Sequence, residues 1–122
     1  MGLTHVAVRL FNSVSSDTYE ADFLVDTGAM YTMAPASDLK KIGIPSLGKE
    51  LYELASGELV EYEYGNAELR FMDEIVGTRI IFGPDGSEPI LGVVALESAG
   101  FLVDPTNQRL RKLPALPLKR VA

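Results

Sequence analysis

Apolar and polar residues alternate with a period of two over most of the chain, the pattern of strands buried on one face. Val6, Val8 and Leu10 alternate with Ala7 and Arg9; after the turn-rich stretch NSVSSD, Tyr19, Ala21, Phe23 and Val25 share a face. Two such stretches around a polar turn predict a hairpin. The spacing changes to three at Leu39 and Ile42, inside PASDLKKIGIP. This predicts one or two helical turns, with Ser37 as N-cap and Gly43 as the stop.

From Leu51 to Phe71 the pattern predicts a long hairpin with its tip at ASGE, where Ser56 and Gly57 supply the turn. The return arm places Val60, Tyr62 and Tyr64 on one face, followed by Ala67, Leu69 and Phe71. The odd step from 64 to 67 reverses the faces unless a residue is inserted, so a bulge is expected at Gly65 and Asn66. EIVGTRIIF reads as a further strand and GPDGSEP as a loop. VVALESAG has the length and spacing of a two-turn helix closed by Gly100. FLVDPTNQRL reads as a last hairpin turning at Pro105 to Asn107, and the prolines of LPALPLKRVA favour an extended tail. The expected fold class is all-β with one short helix near the C-terminus, as a single domain over 1–122 with 110–122 as an extended or flexible tail.

A length of 122 residues with 47% hydrophobic residues suits one domain that buries roughly two thirds of its unfolded surface. The chain has no cysteine, and His5 is its only histidine. Cysteine nucleophiles, serine triads with a histidine base and His/Cys metal sites therefore lack their parts. His5, within LTHVAVRLF, reads as a strand residue without a chemical role. No metal and no cofactor are expected. The net charge of −6 argues against a nucleic acid partner, which needs a basic face. No apolar run approaches the roughly 20 residues that span a bilayer, and the start of the chain lacks the layout of a signal peptide. The expectation is a cytoplasmic protein with no membrane partner.

Candidate chemistry rests on FLVDTGAMYTMAP, residues 23–35. An apolar run ends there in Asp26, Thr27 and Gly28, where a strand should give way to a turn. An Asp-Gly turn whose aspartate bonds its own backbone is the plain structural reading. An aspartyl-phosphate role needs an Asp-Lys-Thr-Gly-Thr motif and repeated strand-helix units, and both are absent.

The order of the parts adds a second reading. An apolar strand, Asp26-Thr27-Gly28-Ala29, a long hairpin, a strand, Ile90-Leu91-Gly92, a short helix and a final strand together resemble the retroviral-type (retropepsin-like) aspartic protease family, from about Leu3 to Leu110. The resemblance implies a small closed β-barrel acting as a two-fold dimer. It implies an aspartic endopeptidase in which water is activated by two aspartates, one Asp26 from each subunit of a homodimer, with a peptide or protein as substrate. Thr27 would bond across the axis, Gly28 would bring its N–H to the carboxylate, and the hairpin would be a flap over the substrate. Ala29 and Met30, with Ser56 and Gly57 at the flap tip, would face that substrate.

This sequence departs from the best-known viral pattern in two places. Its flap tip has only Gly57, and Pro114 and Pro117 suit poorly the shared terminal sheet that joins viral subunits. Leu113, Leu116 and Leu118 are then candidates for packing on a partner. Glu58 and Glu61 read as solvated strand residues. A non-catalytic peptide-binding dimer using the same cleft is the alternative function, and a monomeric barrel with Asp26 capping a turn is a third reading.

Overall fold

The computed structural model describes residues 4–104, 109–116 and 118. The turn expected at Pro105 to Asn107, and the tail beyond Leu116 apart from Leu118, lie outside the described residues. Nine strands and two short helices are present among the described residues: β1 (His5–Phe11), β2 (Thr18–Val25), β3 (Thr32–Pro35), α1 (Ala36–Lys41), β4 (Gly48–Glu53), β5 (Leu59–Phe71), β6 (Glu74–Gly83), β7 (Ile90–Leu91), α2 (Val93–Ser98), β8 (Phe101–Asp104) and β9 (Arg109–Lys112). The fold is mostly β, with two helices where the fold class named one. None of the described helices is long and apolar enough to cross a membrane.

Seven strands form one sheet in the order β1-β2-β7-β3-β6-β5-β4, and β1 also pairs with β5, so the sheet turns back on itself as a ring. Inside it lie the alternating residues of β1, β2 and the body half of β5, with Leu10, Phe23, Leu69, Ile80 and Leu91 all fully buried. Each strand contributes every second residue because successive side chains point to opposite faces. The first hairpin is as expected, with Val6 opposite Phe23 and Val8 opposite Ala21. β4 lies outside the ring. It pairs only with the flap half of β5, from Gly48 opposite Tyr64 to Glu53 opposite Leu59.

Two local expectations need correction. No bulge interrupts β5, whose register runs unbroken against β6 from Tyr64 opposite Ile81 to Phe71 opposite Glu74. The covered face changes instead: Ala67, Leu69 and Phe71 face the core, while Tyr62 and Tyr64 are half-buried on the other side of the same continuous strand. Gly65 marks the change because a Cβ there would stand 2.6 Å from the Pro45 carbonyl oxygen. Ser37 is likewise not the N-cap of α1. Pro35 holds that position with no side-chain cap, and the Ser37 N–H donates to Asp85 Oδ1 at 2.9 Å. A carboxylate 48 residues away thus satisfies one of the orphan donors of the first turn.

The last hairpin pairs β8 with β9 inside one chain, Phe101 opposite Lys112. It is fastened to the body by the Phe71–Phe101 ring contact at 6.0 Å and by the Lys112–Glu74 ion pair at 3.1 Å. The Leu113 N–H then reaches the Gly100 carbonyl at 2.8 Å. Leu118 is exposed, and Leu116 lies half-exposed beside Gly100.

Candidate active site

Asp26 stands at the point where β2 ends, and the loop it opens returns to the sheet at Thr32, the first residue of β3. The two arms of this loop are not neighbours. β7 lies between them, parallel to β2 with Leu24 opposite Ile90 and Val25 opposite Leu91, and antiparallel to β3 with Met33 opposite Ile90. The two-residue strand wedges the arms apart and supplies bonds to both. The Asp26 N–H donates to the Leu91 carbonyl at 3.2 Å, and the Gly92 N–H donates to the Thr32 hydroxyl at 3.1 Å. From α2, the N–H groups of Val93 and Val94 donate to the carbonyls of Ala29 (2.9 Å) and Met30 (3.0 Å). The loop is thereby tied at both ends and in the middle.

Gly92 makes this closeness possible. A Cβ on it would lie 2.5 Å from the carbonyl carbon of Tyr31, 2.6 Å from its oxygen and 2.8 Å from the Met30 carbonyl oxygen. No side chain fits against backbone at those distances. Thr32 is 1% exposed; its hydroxyl accepts that buried N–H, which would otherwise be orphaned.

Within the loop, Asp26 is half-buried, Thr27 and Gly28 are exposed, and Ala29 is half-buried. The Gly28 N–H donates to Asp26 Oδ1 at 2.9 Å, and the Ala29 N–H donates to the Asp26 carbonyl at 3.1 Å. The carboxylate is therefore held by one oxygen, and its second oxygen makes no hydrogen bond among the described residues. Met30 is 62% exposed.

Ser56 and Gly57 are exposed at the tip of the β4–β5 hairpin, and their bonds are local. The Gly57 N–H donates to Leu54 and the Glu58 N–H to the Ser56 hydroxyl, while Gly57 adopts φ +88°. Glu58 and Glu61 are exposed, as expected of solvated positions. The hairpin meets the Asp26 loop lower down, through residues that sequence reasoning passed over. Tyr52 touches Tyr31 edge-on with centroids 6.5 Å apart, and Tyr52 and Tyr62 lie 6.3 Å apart. The Arg79 guanidinium sits between Tyr64 (4.0 Å to the ring centroid) and Tyr31 (5.1 Å). The Tyr52 hydroxyl is buried without a hydrogen-bond partner; Arg79 approaches it without bonding geometry. Burial pushes the Tyr52 phenol above its ordinary value, against the opposing influence of Arg79. The one available signal was the run of tyrosines at 52, 62 and 64 on a single face.

A family model described as aspartyl protease matches residues 11–94, which covers β2, the Asp26 loop, the β4–β5 hairpin and β7 through the start of α2. The chain belongs to the aspartyl protease family. No curated protein matches it. Within this family member, the matched span contains every hydrogen bond described above for the loop of Asp26.

Proposed function

We propose that this protein is an aspartic endopeptidase that works as a homodimer, each subunit contributing one Asp26 to a shared centre in a small barrel-like fold. The observation that carries the reading is the Asp26 carboxylate itself: half-buried, fixed through Oδ1, with its other oxygen unengaged, on a loop clamped from three directions. Two such carboxylates about 3 Å apart cannot both ionise and so share one proton. The ionised one accepts a proton from water as the water oxygen attacks the peptide carbonyl carbon. The protonated one gives its proton to the developing oxyanion, leaving a neutral gem-diol. The carboxyl that took the water proton then passes it to the leaving nitrogen as the C–N bond breaks. The other carboxylate takes a proton back from a gem-diol hydroxyl, so that the pair again shares one.

The roles of the neighbours follow from this reading. Gly28 orients the carboxylate through its N–H, and Thr27, exposed on the lone chain, bonds across the two-fold axis. Ala29 and the tip residues Ser56 and Gly57 line the path of an extended peptide, which the hairpin backbone can bind as an added strand. These 122 residues hold one Asp-Thr-Gly motif, so a pair of aspartates would draw its second member from another copy of this domain. With β9 paired to β8 of its own chain, the subunits would meet chiefly through the Asp26 loops and their surroundings. The substrate is a peptide or protein segment, and the reading needs no cofactor, metal or nucleic acid.

The test joins one substitution with dilution. Asp26→Asn should lower peptidase activity at least about a thousandfold while leaving thermal stability unchanged. Wild-type activity per mole of chain should fall as the sample is diluted below the dimer dissociation constant, tracked by sedimentation. Full activity in purified Asp26→Asn protein, or constant specific activity in demonstrably monomeric samples, would end the two-aspartate mechanism.

A further inference from the structure

Arg79 is half-buried on β6, opposite Asn66 and between the base of the hairpin and the loop of Asp26. Its guanidinium carbon lies over the Tyr64 ring, 4.0 Å from the centroid, and over the Tyr31 ring, 5.1 Å from the centroid. The N–H donors of a stacked guanidinium point outward in its own plane, where a carboxylate can take two of them at once. Among the described residues no carboxylate does so. The acid on the same face that comes nearest in register is Glu68, and it is bonded to Arg70 at 3.0 Å. In a chain with 17 acidic residues, Arg79 thus has no carboxylate partner among the described residues.

Its surroundings are those of a binding wall. An open groove of about 660 Å³ is bordered by Arg79, Tyr31, Asn66, Thr78 and Val94, and by Glu68, whose carboxylate is taken up by Arg70. Two of these residues are joined to the Asp26 loop: Tyr31 continues it, and Val94 donates to Met30 within it. The buried, unpartnered hydroxyl of Tyr52 lies on the hairpin side of the same cluster. The hairpin between 48 and 64 carries five glutamates and one lysine. It repels acidic peptides in general and leaves Arg79 as a local exception.

We infer that Arg79, held between Tyr31 and Tyr64, is a specificity-determining residue that selects an acidic side chain at one position of the peptide substrate. The inference rests on the peptidase reading above. Its rival is a structural one, in which Arg79 only staples the hairpin to the loop. A staple acts on all peptides alike, whereas a recognition residue acts on one charge at one position.

The experiment compares a peptide set in which each position in turn carries Asp or Glu against its amide, Asn or Gln. With wild-type enzyme, one position should show a preference for the acid of about tenfold in kcat/KM, carried by KM, as for a charge-assisted bond at a partly exposed site. The preference should shrink at high salt. In Arg79→Gln it should vanish, acid and amide peptides then being cleaved alike whatever their common rate, and Arg79→Lys should restore part of it. The same series is measured as equilibrium binding to Asp26→Asn protein, so that absence of cleavage in every peptide counts against the peptidase reading and leaves the charge preference still decided. No acid preference at any position of wild-type protein, in cleavage or in binding, overturns the inference. So does a preference that Arg79→Gln leaves unchanged.

Discussion

The Asp26 loop and the tip of the β4–β5 hairpin are both short turns between strands, yet they are built in opposite ways. The loop is bonded to β7 and to the start of α2, the Gly92 N–H donates to Thr32 at the loop's far end, and Val25, Thr32 and Leu91 around it are buried. The tip is bonded only to itself, and the leucines around it, Leu51 at 61% and Leu59 at 57%, stand exposed. Position is therefore fixed for the carboxylate and left adjustable for the segment that would cover a substrate. A catalytic group gains from being held within a fraction of an ångström, while a cover has to open and close. The aromatic cluster of Tyr31, Tyr52 and Arg79 is where the fixed half and the adjustable half touch.

The strongest way to break this contrast is to make one chemical change in both places. Gly92→Ala puts a methyl group against backbone atoms that cannot swing away. The expected cost is about 3 kcal/mol, a fall in Tm of roughly 10 °C for a domain of this size, together with loss of activity as the Asp26 loop shifts. Gly57→Ala meets nothing within 4 Å and suffers only its positive φ, which costs about 1 kcal/mol. Its Tm should fall by a few degrees at most. Calorimetry on the two variants decides the matter, and equal losses would mean that the tip is as tightly built as the loop.

A smaller change asks whether the clamp depends on the buried bond at Thr32. Thr32→Val keeps the shape and removes the acceptor of the Gly92 N–H, leaving a buried donor unpaired at about 1–3 kcal/mol. Thr32→Ser should recover the bond and most of the stability. Urea denaturation of the three proteins measures the difference. If Thr32→Val is as stable as wild type, β7 is held by packing alone.

Much of this arrangement was legible along the chain, and what was not has identifiable causes. The alternations in β1, β2 and β6, the hairpin with its tip at 54–58, and the helix closed by Gly100 follow from periods of two and three with turn residues between them. The Asp26-Thr27-Gly28 loop was visible because it interrupts an apolar run. The insertion of β7 between β2 and β3 was not, since a two-residue strand has no period and its parallel partner lies 66 residues away. Thr32 looked like an ordinary β-branched strand residue, and only the topology brings Gly92 to its hydroxyl. The bulge expected at Gly65 failed because an odd step was taken as a break in the strand. The strand is in fact continuous and exchanges the face that is covered, inside the ring on one half and against Tyr52 and Arg79 on the other. Arg79 and Asp85 carry no local signal at all; each acquires its surroundings from residues distant in sequence.

The smallest expected effect concerns the tether at the base of the hairpin. Glu63 on β5 is held below the usual carboxylate range, first by the Ser46 hydroxyl and then by the Lys40 ammonium, which lies 3.5 Å away on α1. A carboxyl whose pKa is lowered in the folded state contributes stability that is fully present above its unfolded value. That contribution is lost as the pH falls through the folded one. The tether should therefore hold at neutral pH and weaken below about pH 4. Because the contact is solvent-accessible and joins the hairpin to the body, its loss should loosen residues 48–64 without moving the global Tm. Hydrogen exchange, read as the ratio of rates in wild type and Glu63→Gln at each pH, measures this directly. At pH 7 the variant's hairpin amides should exchange several times faster than those of the wild type, and the ratio should approach one once the pH has fallen through the lowered range of Glu63, with the amides of β2 and β7 unaffected throughout. A ratio that stays constant with pH, or that changes equally in β2, would place the acid sensitivity in the body of the domain and remove Glu63 as a link between the fixed and the adjustable halves.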